Sequence, residues 1–204
     1  MTLVKICGIT NAGDARVAAD AGADVIGLIF ADSPRRVDVE EARRISVALP
    51  ENTIRVGVFV DEEPAEISRI SREVGLDLAQ LHGDETPEAV AALREDGVKV
   101  MKALRVESAA TLEALDAYEA DLFLLDAYSA KARGGTGERF DWGIAKYLKG
   151  RDHIVVSGGL GPENVREAVE FFEPFGVDAS SSLEDAPGRK NGELVRRFVL
   201  AAKD

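Results

Sequence analysis

The sequence repeats one unit along its length: a short run of apolar residues followed by a segment with helical spacing. Eight such runs begin roughly 20 to 32 residues apart, which is the size of one strand–loop–helix unit. They are apolar at nearly every position and do not alternate, so they suit strands buried on both faces of a parallel sheet. The runs are Leu3–Cys7, Val25–Phe30, Ile54–Val60, Leu76–Leu81, Val98–Leu104, Asp121–Asp126, His153–Ser157 and Gly176–Ala179.

The segments between these runs carry helix signals. Pro64–Val74 opens with proline and closes before Gly75, which is the asymmetry expected of the two ends of a helix. The other predicted helices are Asn11–Ala21 and Glu40–Leu49, and further helix starts are predicted near Pro87 and Pro162.

Eight strand–helix units in one chain predict an α/β fold, a closed (β/α)8 TIM barrel that forms a single domain over residues 1–204. An open, doubly wound parallel sheet is the structural alternative. The sequence contains no linker, low-complexity stretch or block of like charge that marks a second domain.

Composition excludes several classes of function. A formal net charge of -12 disfavours binding to nucleic acid or to an anionic membrane, since both would be repelled. One cysteine and two histidines leave too few ligands for a Cys/His zinc cluster and no intrachain disulfide. Since the chain also lacks an apolar run of about 18 residues and a leader pattern at its start, the expected location is the cytoplasm.

In a barrel, reactive groups are expected at the carboxyl ends of the strands. Cys7 ends the first run and Asp126 ends the sixth. An acid that follows an apolar run is partly desolvated, which raises its pKa and lets it donate a proton while a thiolate removes one. A lone cysteine is also often just a small buried hydrophobe. Lys5 shares a strand face with Cys7, so it either favours the thiolate or pairs with a carboxylate inside the barrel.

Two turns in the last two units suit a phosphate group. Gly158 and Gly159 follow the seventh run, where backbone N–H groups and a helix N-terminus can approach an oxyanion. Ser180 and Ser181 follow the eighth run, just after Asp178. Phosphate commonly binds between the last two units of such barrels, so we predict a phosphate site here.

Few basic residues follow the predicted strands. Arg35 and Arg36 come after the second run, and arginine offers a planar fork suited to a carboxylate or a phosphate. The loop around Gly135 is rich in glycine and is either a lid or phosphate-facing loop or a plain flexible loop. His82 is interpreted as a structural or loop-orienting residue, because no partner lies at a suitable spacing.

Seven motif regions occur in an order that resembles one known family. They are Lys5–Thr10 (KICGIT), Gly57–Val60 (GVFV), Gln80–Gly83 (QLHG), Leu124–Asp126 (LLD), Gly134–Gly137 (GGTG) with Phe140–Trp142 (FDW), Ser157–Leu160 (SGGL) and Val177–Ser181 (VDASS). With them the chain resembles the phosphoribosylanthranilate isomerases of tryptophan biosynthesis, from residue 4 to about residue 191.

The resemblance implies an Amadori rearrangement without metal or organic cofactor. N-(5-phosphoribosyl)anthranilate would become 1-(2-carboxyphenylamino)-1-deoxyribulose 5-phosphate. Asp126 would be the general acid that opens the ribose ring, and Cys7 would be the general base that takes the proton from sugar C2. The implied binding residues are Arg35 for the anthranilate carboxylate, Gly158, Gly159, Ser180 and Ser181 for the phosphate, and the loop around Gly135 near the site.

The chain departs from the family pattern at two positions. Arg36 stands where the family often has an aromatic residue, which leaves the choice between Arg35 and Arg36 open. Ser182 stands where the family usually has glycine, so the phosphate loop is expected to have a different shape.

Two other functions are competing hypotheses. One is a related phosphate-binding barrel, although an indoleglycerol-phosphate synthase would have lysine in place of Cys7 and the histidine-pathway isomerase would have aspartate. The other is an inactive barrel that only binds a phosphorylated metabolite. The expected partner is a small phosphorylated substrate, with no nucleic acid and no membrane, and the expected assembly is a monomer or homodimer.

Overall fold

The computed structural model describes residues 2–105, 114–126 and 152–204. Within them eight parallel strands form a closed barrel in sequence order, and β8 pairs with β1 through Leu3 with Gly176 and Ile6 with Ala179. This closure confirms the predicted (β/α)8 barrel and shows that the open-sheet alternative is wrong. The strands are β1 (Leu3–Cys7), β2 (Val25–Ile29), β3 (Ile54–Phe59), β4 (Leu78–Leu81), β5 (Val100–Arg105), β6 (Leu122–Asp126), β7 (Ile154–Ser157) and β8 (Gly176–Ala179).

Helices connect the strands around the outside of the barrel. A short antiparallel ribbon of β9 (Glu184–Ala186) and β10 (Arg189–Lys190) lies between β8 and the last helix. Short 3₁₀ turns span Ala114–Ala117 and Ser181–Leu183. The α-helices of the described residues are α1 (Ala12–Asp20), α2 (Val39–Ala48), α3 (Pro64–Val74), α4 (Pro87–Glu95), α5 (Val165–Phe172) and α6 (Gly192–Lys203).

Local sequence signals explain where most helices begin and end. The side chains of Asn11 and Asp38 each accept a hydrogen bond from a backbone N–H in the first turn of the helix that follows. These bonds satisfy donors that have no partner within the helix. Pro64 is the first residue of α3, and Gly75 ends that helix with a left-handed φ of 73°. The bounds predicted for α3 are therefore confirmed.

One predicted helix start is wrong. We expected a helix from near Pro162, but α5 begins at Val165. The Gly161 N–H donates to the Asn164 side chain at 2.8 Å, and the Gly161 carbonyl accepts from the backbone N–H groups of Asn164 and Val165. These bonds form a turn, so the helix N-terminus lies three residues further from Gly159 than the proline suggested.

Two strands start two residues later than the apolar runs that predicted them. The Leu76 N–H donates to the Ser71 carbonyl, and the Val98 N–H donates to the Leu93 carbonyl. Both residues therefore belong to the closing turn of the preceding helix, and their strands start two residues later. Hydrophobicity alone does not separate these buried turn residues from strand residues.

The barrel interior is a layer of apolar side chains that continues into polar ones at the carboxyl ends of the strands. Val25, Val56, Leu78, Leu124 and Val155 form one buried cluster on five different strands. Side chains two positions apart on a strand share a face. The interior positions that follow in this alternation are Cys7 after Lys5, Gln80 and His82 after Leu78, Asp126 after Leu124, and Ser157 after Val155.

A cavity of about 410 Å³ lies at the opposite, amino end of the barrel. It is lined by first residues of strands, such as Leu3, Val25 and Ile54, and by Phe175 before β8. No helix among the described residues combines the length and the apolar character that crossing a membrane requires.

Candidate active site

The structure brings most of the predicted site residues to the carboxyl end of the barrel. Cys7 ends β1, Asp126 ends β6 and Ser157 ends β7, while Asp178 lies one residue before the end of β8. Gly158, Gly159, Ser180 and Ser181 follow β7 and β8 directly. Gly135 lies outside the described residues.

Cys7 is buried against the neighbouring strand. Its side chain lies opposite Gly27 in the β1–β2 register, and a Cβ at Gly27 would come within 2.8 Å of the Cys7 sulfur. Real Cβ atoms do not approach so closely, so the glycine provides the space that the thiol occupies. The residue is only 7% exposed.

A buried polar network lies below the thiol. Lys5 Nζ donates to Asp178 Oδ1 at 2.8 Å, and the Ser157 hydroxyl donates to Asp178 Oδ2 at 3.0 Å. Lys5 is 2% exposed and Asp178 is 6% exposed. Of the two alternatives for Lys5, the carboxylate pair is therefore present. A buried charge needs such a partner, because desolvation would otherwise be too costly.

The thiol is held mainly in its protonated form. Burial raises the pKa of Cys7 above its ordinary value, and the positive charge of Lys5 opposes that rise without cancelling it. Burial also disfavours the charged form of Lys5, but the Asp178 carboxylate and the Cys7 sulfur outweigh it, so the pKa of Lys5 is raised. Lys5 therefore stays charged and stabilises a thiolate once one forms.

This environment predicts the titration of the thiol. The thiolate absorbance of the unliganded protein in the ultraviolet should rise with a midpoint above the ordinary thiol pKa of about 8.5. The chain has one cysteine, so the signal reports on Cys7 alone once a Cys7→Ala baseline is subtracted. A raised pKa means that the protonated form dominates at neutral pH and is lost as the pH increases through the folded value. A midpoint near neutral pH would contradict the raised pKa of Cys7.

Asp126 lies close to a histidine that follows a different strand of the barrel. His82 Nε2 is 3.6 Å from Asp126 Oδ2, although β4 and β6 are separated by β5. Both side chains must therefore face the barrel interior. The other ring nitrogen, Nδ1, lies 2.8 Å from Gln80 Nε2. In the tautomer whose Nδ1 accepts a hydrogen bond from Gln80 Nε2, the ring proton lies on Nε2, the nitrogen that faces Asp126.

This contact corrects the sequence interpretation of His82 in part. His82 follows β4 and Asp126 ends β6, so no local spacing reveals the pair. His82 has a carboxylate partner in the site, and its role in orienting the loop stays a prediction. With side-chain exposures of 29% and 23%, the pair is accessible to a small molecule.

Arg35 lies over the end of β1. A Cβ on Gly8 would come within 2.6 Å of Arg35 Cδ and 2.9 Å of the Ser180 hydroxyl. Gly8 has a φ of 74°, which favours glycine for a second reason. The arginine stem and Ser180 thus meet beside the thiol. Arg36 is exposed, so the structure favours Arg35 as the residue of the pair that faces the site.

A carboxylate that we did not predict holds Arg35. Arg35 Nε donates to Glu184 Oε1 at 2.8 Å, and Nη2 donates to Glu184 Oε2 at 2.7 Å. Lys190 Nζ donates to the same carboxylate at 2.7 Å. Glu184 lies 149 positions from Arg35 in sequence, so neither spacing nor charge pattern indicates the contact.

The two loops of the predicted phosphate site are joined by a hydrogen bond. The Ser182 hydroxyl donates to the Leu160 carbonyl, and a Cβ on Gly161 would lie 3.4 Å from Ser182 Cβ. Ser182, which departs from the family pattern, therefore ties the β8 loop to the β7 loop. Gly158 and Gly159 adopt φ values of 94° and 67°, which favour glycine. Because glycine has no side chain, the backbone of this turn stays open to a ligand.

Another buried ion pair shapes the loop that carries His82. Lys102 Nζ contacts Glu85 Oε2 at 2.6 Å and the Gly83 carbonyl at 2.7 Å, and the Lys102 side chain is 1% exposed. Glu85 in turn accepts hydrogen bonds from the backbone N–H groups of Asp61 and Gly83. No sequence pattern assigned a role to Lys102. Its role here is to fix the loops after β3 and β4.

Within the described part of the chain, no group of three or more His, Cys, Asp or Glu side chains is arranged to hold a metal ion. The side chains at the carboxyl end of the barrel offer proton transfer and anion binding. A thiol, a carboxyl group, an arginine fork and two linked turns lie at one end of the barrel.

Comparison with known proteins shows that the chain is similar to one family of enzymes. A family model described as N-(5'phosphoribosyl)anthranilate (PRA) isomerase matches residues 4–201. The N-(5'-phosphoribosyl)anthranilate isomerase of Rubrobacter xylanophilus is 62% identical over 205 residues and covers 100% of both chains.

Solved structures of the same name superpose over nearly all of the chain. One is a phosphoribosyl anthranilate isomerase in complex with reduced 1-(o-carboxyphenylamino)-1-deoxyribulose 5-phosphate, with TM-score 0.88, 42% identity and coverage of 100% and 99% of the two chains. Another contains monomers generated from the dimeric enzyme of Thermotoga maritima, with TM-score 0.87, 41% identity and the same coverage.

Proposed function

The chain belongs to the N-(5'-phosphoribosyl)anthranilate isomerase family, and we propose that Cys7 and Asp126 carry out its reaction. The protein is an isomerase of tryptophan biosynthesis that converts N-(5'-phosphoribosyl)anthranilate to the corresponding 1-deoxyribulose phosphate. The observation that supports the proposal is that the thiol and the carboxyl group both face the interior of the barrel at its carboxyl end. One is a carboxyl group and the other a thiol, two kinds of side chain that can act as general acid and as general base.

The first step is opening of the ribose ring. Asp126 in its acid form gives a proton to the ring oxygen, which becomes a hydroxyl group as the C1–O bond breaks. The anilino nitrogen supplies the electron pair, so C1 and nitrogen form an iminium ion. His82 Nε2 faces Asp126, and in the tautomer with its proton on Nε2 the ring can donate to the carboxylate that remains.

The second step is removal of the proton on sugar C2. The iminium withdraws electrons from C2 and makes that proton acidic enough for a thiolate. Cys7 takes the proton, and the electron pair moves into a C1–C2 double bond and neutralises nitrogen. The resulting enaminol becomes the ketone when the C2 hydroxyl loses a proton and C1 gains one. The substrate nitrogen is itself the electron sink, so we propose that no metal or organic cofactor takes part.

The remaining site residues bind the substrate in this proposal. Arg35 contacts the anthranilate carboxylate, and the phosphate is held between the β7 and β8 loops by Gly158, Gly159, Ser180 and Ser181. Asp178 accepts from a sugar hydroxyl, since a carboxylate that already has two donors keeps lone pairs. Contact with the loop around Gly135 stays a prediction.

Removal of the arginine fork should weaken substrate binding. Arg35→Met should raise KM roughly 10- to 100-fold, since a hydrogen bond to a charged group contributes about 1.5–3 kcal/mol. Arg35→Lys should cost less, because lysine keeps the charge and loses the fork. The exposed Arg36→Met is the matched control and should leave KM unchanged. Steady-state kinetics measure KM for each variant. A larger rise in KM for Arg36→Met than for Arg35→Met would mean that Arg36 binds the anthranilate carboxylate.

The activity itself is tested by identifying the product. Substrate formed in situ from anthranilate and phosphoribosyl pyrophosphate should give a compound whose carbon NMR spectrum contains a ketone at sugar C2. An unchanged aldose-derived mixture would contradict the proposal. It would instead favour a barrel that binds the phosphorylated compound without converting it.

We also propose the setting in which the chain works. Residues 1–204 form a single barrel domain that acts in the cytoplasm as a monomer or homodimer on a small phosphorylated substrate. The dimeric enzyme of Thermotoga maritima makes a homodimer plausible for the family. Light scattering during gel filtration measures the assembly directly.

A further inference from the structure

The guanidinium of Arg35 is fixed along one edge. Nε and Nη2 together contact both oxygens of Glu184, at 2.8 and 2.7 Å. This side-on pair defines the plane of the guanidinium, because an arginine fork matches a carboxylate in that plane. The Glu184 side chain is 3% exposed and that of Arg35 is 20% exposed. The glutamate is thus the buried, fixed partner and the arginine is the accessible one.

Glu184 is itself held by a second cation. Lys190 lies opposite it in the β9–β10 ribbon and donates to its Oε1 at 2.7 Å, while the same Nζ donates to the Ser180 carbonyl at 3.1 Å. Burial alone would raise the pKa of Glu184, but the hydrogen bonds from Arg35 and Lys190 outweigh it and lower that pKa. One anion between two cations leaves this cluster positively charged.

The arginine keeps a second edge free for a ligand. A guanidinium has five N–H groups, of which Glu184 takes the one on Nε and one on Nη2. Nη1 has no hydrogen-bond partner among the residues that the structure describes. The edge formed by Nη1 and Nη2 can therefore receive a second carboxylate. The Cδ atom of Arg35 lies against Gly8, the residue that follows Cys7, so the guanidinium is held beside the reacting groups.

We propose that Glu184 is a positioning residue that selects substrates with an aryl carboxylate, because it holds Arg35 with the Nη1–Nη2 edge presented to the site. Lys190 supports this role by keeping Glu184 in place from the β9–β10 ribbon. The inference rests on the proposed contact between Arg35 and the substrate carboxylate. It adds a residue that touches no substrate atom and acts only through Arg35.

The test compares two ligands that differ by one carboxylate. The first is reduced 1-(o-carboxyphenylamino)-1-deoxyribulose 5-phosphate, and the second is the same compound without the ring carboxylate. Calorimetry on Glu184→Gln should show Kd for the first ligand raised about tenfold or more, with little change for the second. In kinetics KM should rise while kcat is largely kept. Asp24→Asn is the matched control, because Asp24 also accepts from a lysine and from a backbone N–H, at the other end of the barrel.

Each other result overturns the inference. Equal weakening of both ligands by Glu184→Gln would show a merely structural role, and no weakening of either would show that Arg35 needs no support. If Glu184→Gln does not fold, Glu184→Asp decides, since its shorter side chain keeps the charge but cannot span both donors. If Arg35→Met fails to distinguish the ligands, the proposed role of Arg35 also fails. If Arg35→Met distinguishes them and the Glu184 variants do not, only the inference about Glu184 fails.

Discussion

Cys7→Ala should lower kcat by roughly 10²- to 10⁴-fold, the range expected for loss of a general base. Lys5 keeps its ion pair with Asp178 when the thiol is removed, because that pair does not involve the sulfur. The variant should therefore keep its melting temperature within a few degrees, and KM should change little. Progress curves at saturating substrate measure kcat, and circular dichroism confirms folding.

Cys7→Ser is the matched variant for size and shape. A serine hydroxyl fits the space beside Gly27, but it is a far weaker acid than a thiol and supplies almost no oxyanion. It should lose nearly as much activity as the alanine variant. If either variant keeps kcat near that of the original chain, another group removes the C2 proton.

Asp126→Asn should lower kcat by a similar factor, roughly 10²- to 10⁴-fold. Asparagine keeps the shape of the side chain and can still contact His82, but it has no acidic proton for the ring oxygen. Loss of activity would therefore report on proton donation and not on packing. Steady-state kinetics from pH 6 to 9 provide the measurement.

The control for this substitution lies at the opposite end of the same strand. Asp121 precedes β6 and accepts the Val100 backbone N–H at 2.8 Å, far from the carboxyl end of the barrel. Asp121→Asn makes the same chemical change without touching the site, so kcat should stay the same. Equal losses in the two variants would mean that Asp126 acts through stability alone.

The repeat of apolar runs was sufficient to predict the barrel. Continuous runs such as Val25–Phe30 suit strands covered on both faces, and eight of them with helices between leave little choice of topology. The position of Cys7 and Asp126 at one end follows from the same rule, since carboxyl ends of parallel strands meet there. Sequence thus predicted both the scaffold and the place of the two reactive groups.

The contacts that tune these groups were not predictable, because they join distant parts of the chain. Glu184 meets Arg35 only after the barrel closes and the β9–β10 ribbon forms. His82 contacts Asp126 inside the barrel, although β5 separates the two strands that these residues follow or end. The degree of burial around Cys7, which raises the pKa of the thiol, likewise depends on packing that no single segment specifies.

The net charge of -12 gives the local cations particular importance. An acidic protein repels an anionic substrate at long range, although salt shortens that range to about 8–10 Å. At the site, Arg35 and Lys190 together carry one more charge than Glu184 neutralises. The local field that a substrate carboxylate meets is therefore opposite in sign to that of the whole chain.

The most direct test of the assignment of Cys7 and Asp126 follows the loss of anthranilate-type fluorescence, with the same substrate preparation given to every variant. Phosphoribosylanthranilate is generated in situ, and the original chain, Cys7→Ala and Asp126→Asn are followed side by side at equal concentration. The original chain should consume the substrate far faster than the uncatalysed control, and each variant should be slower by roughly 10²-fold or more. Turnover by the original chain no faster than the control, or full turnover by either variant, would contradict the assignment.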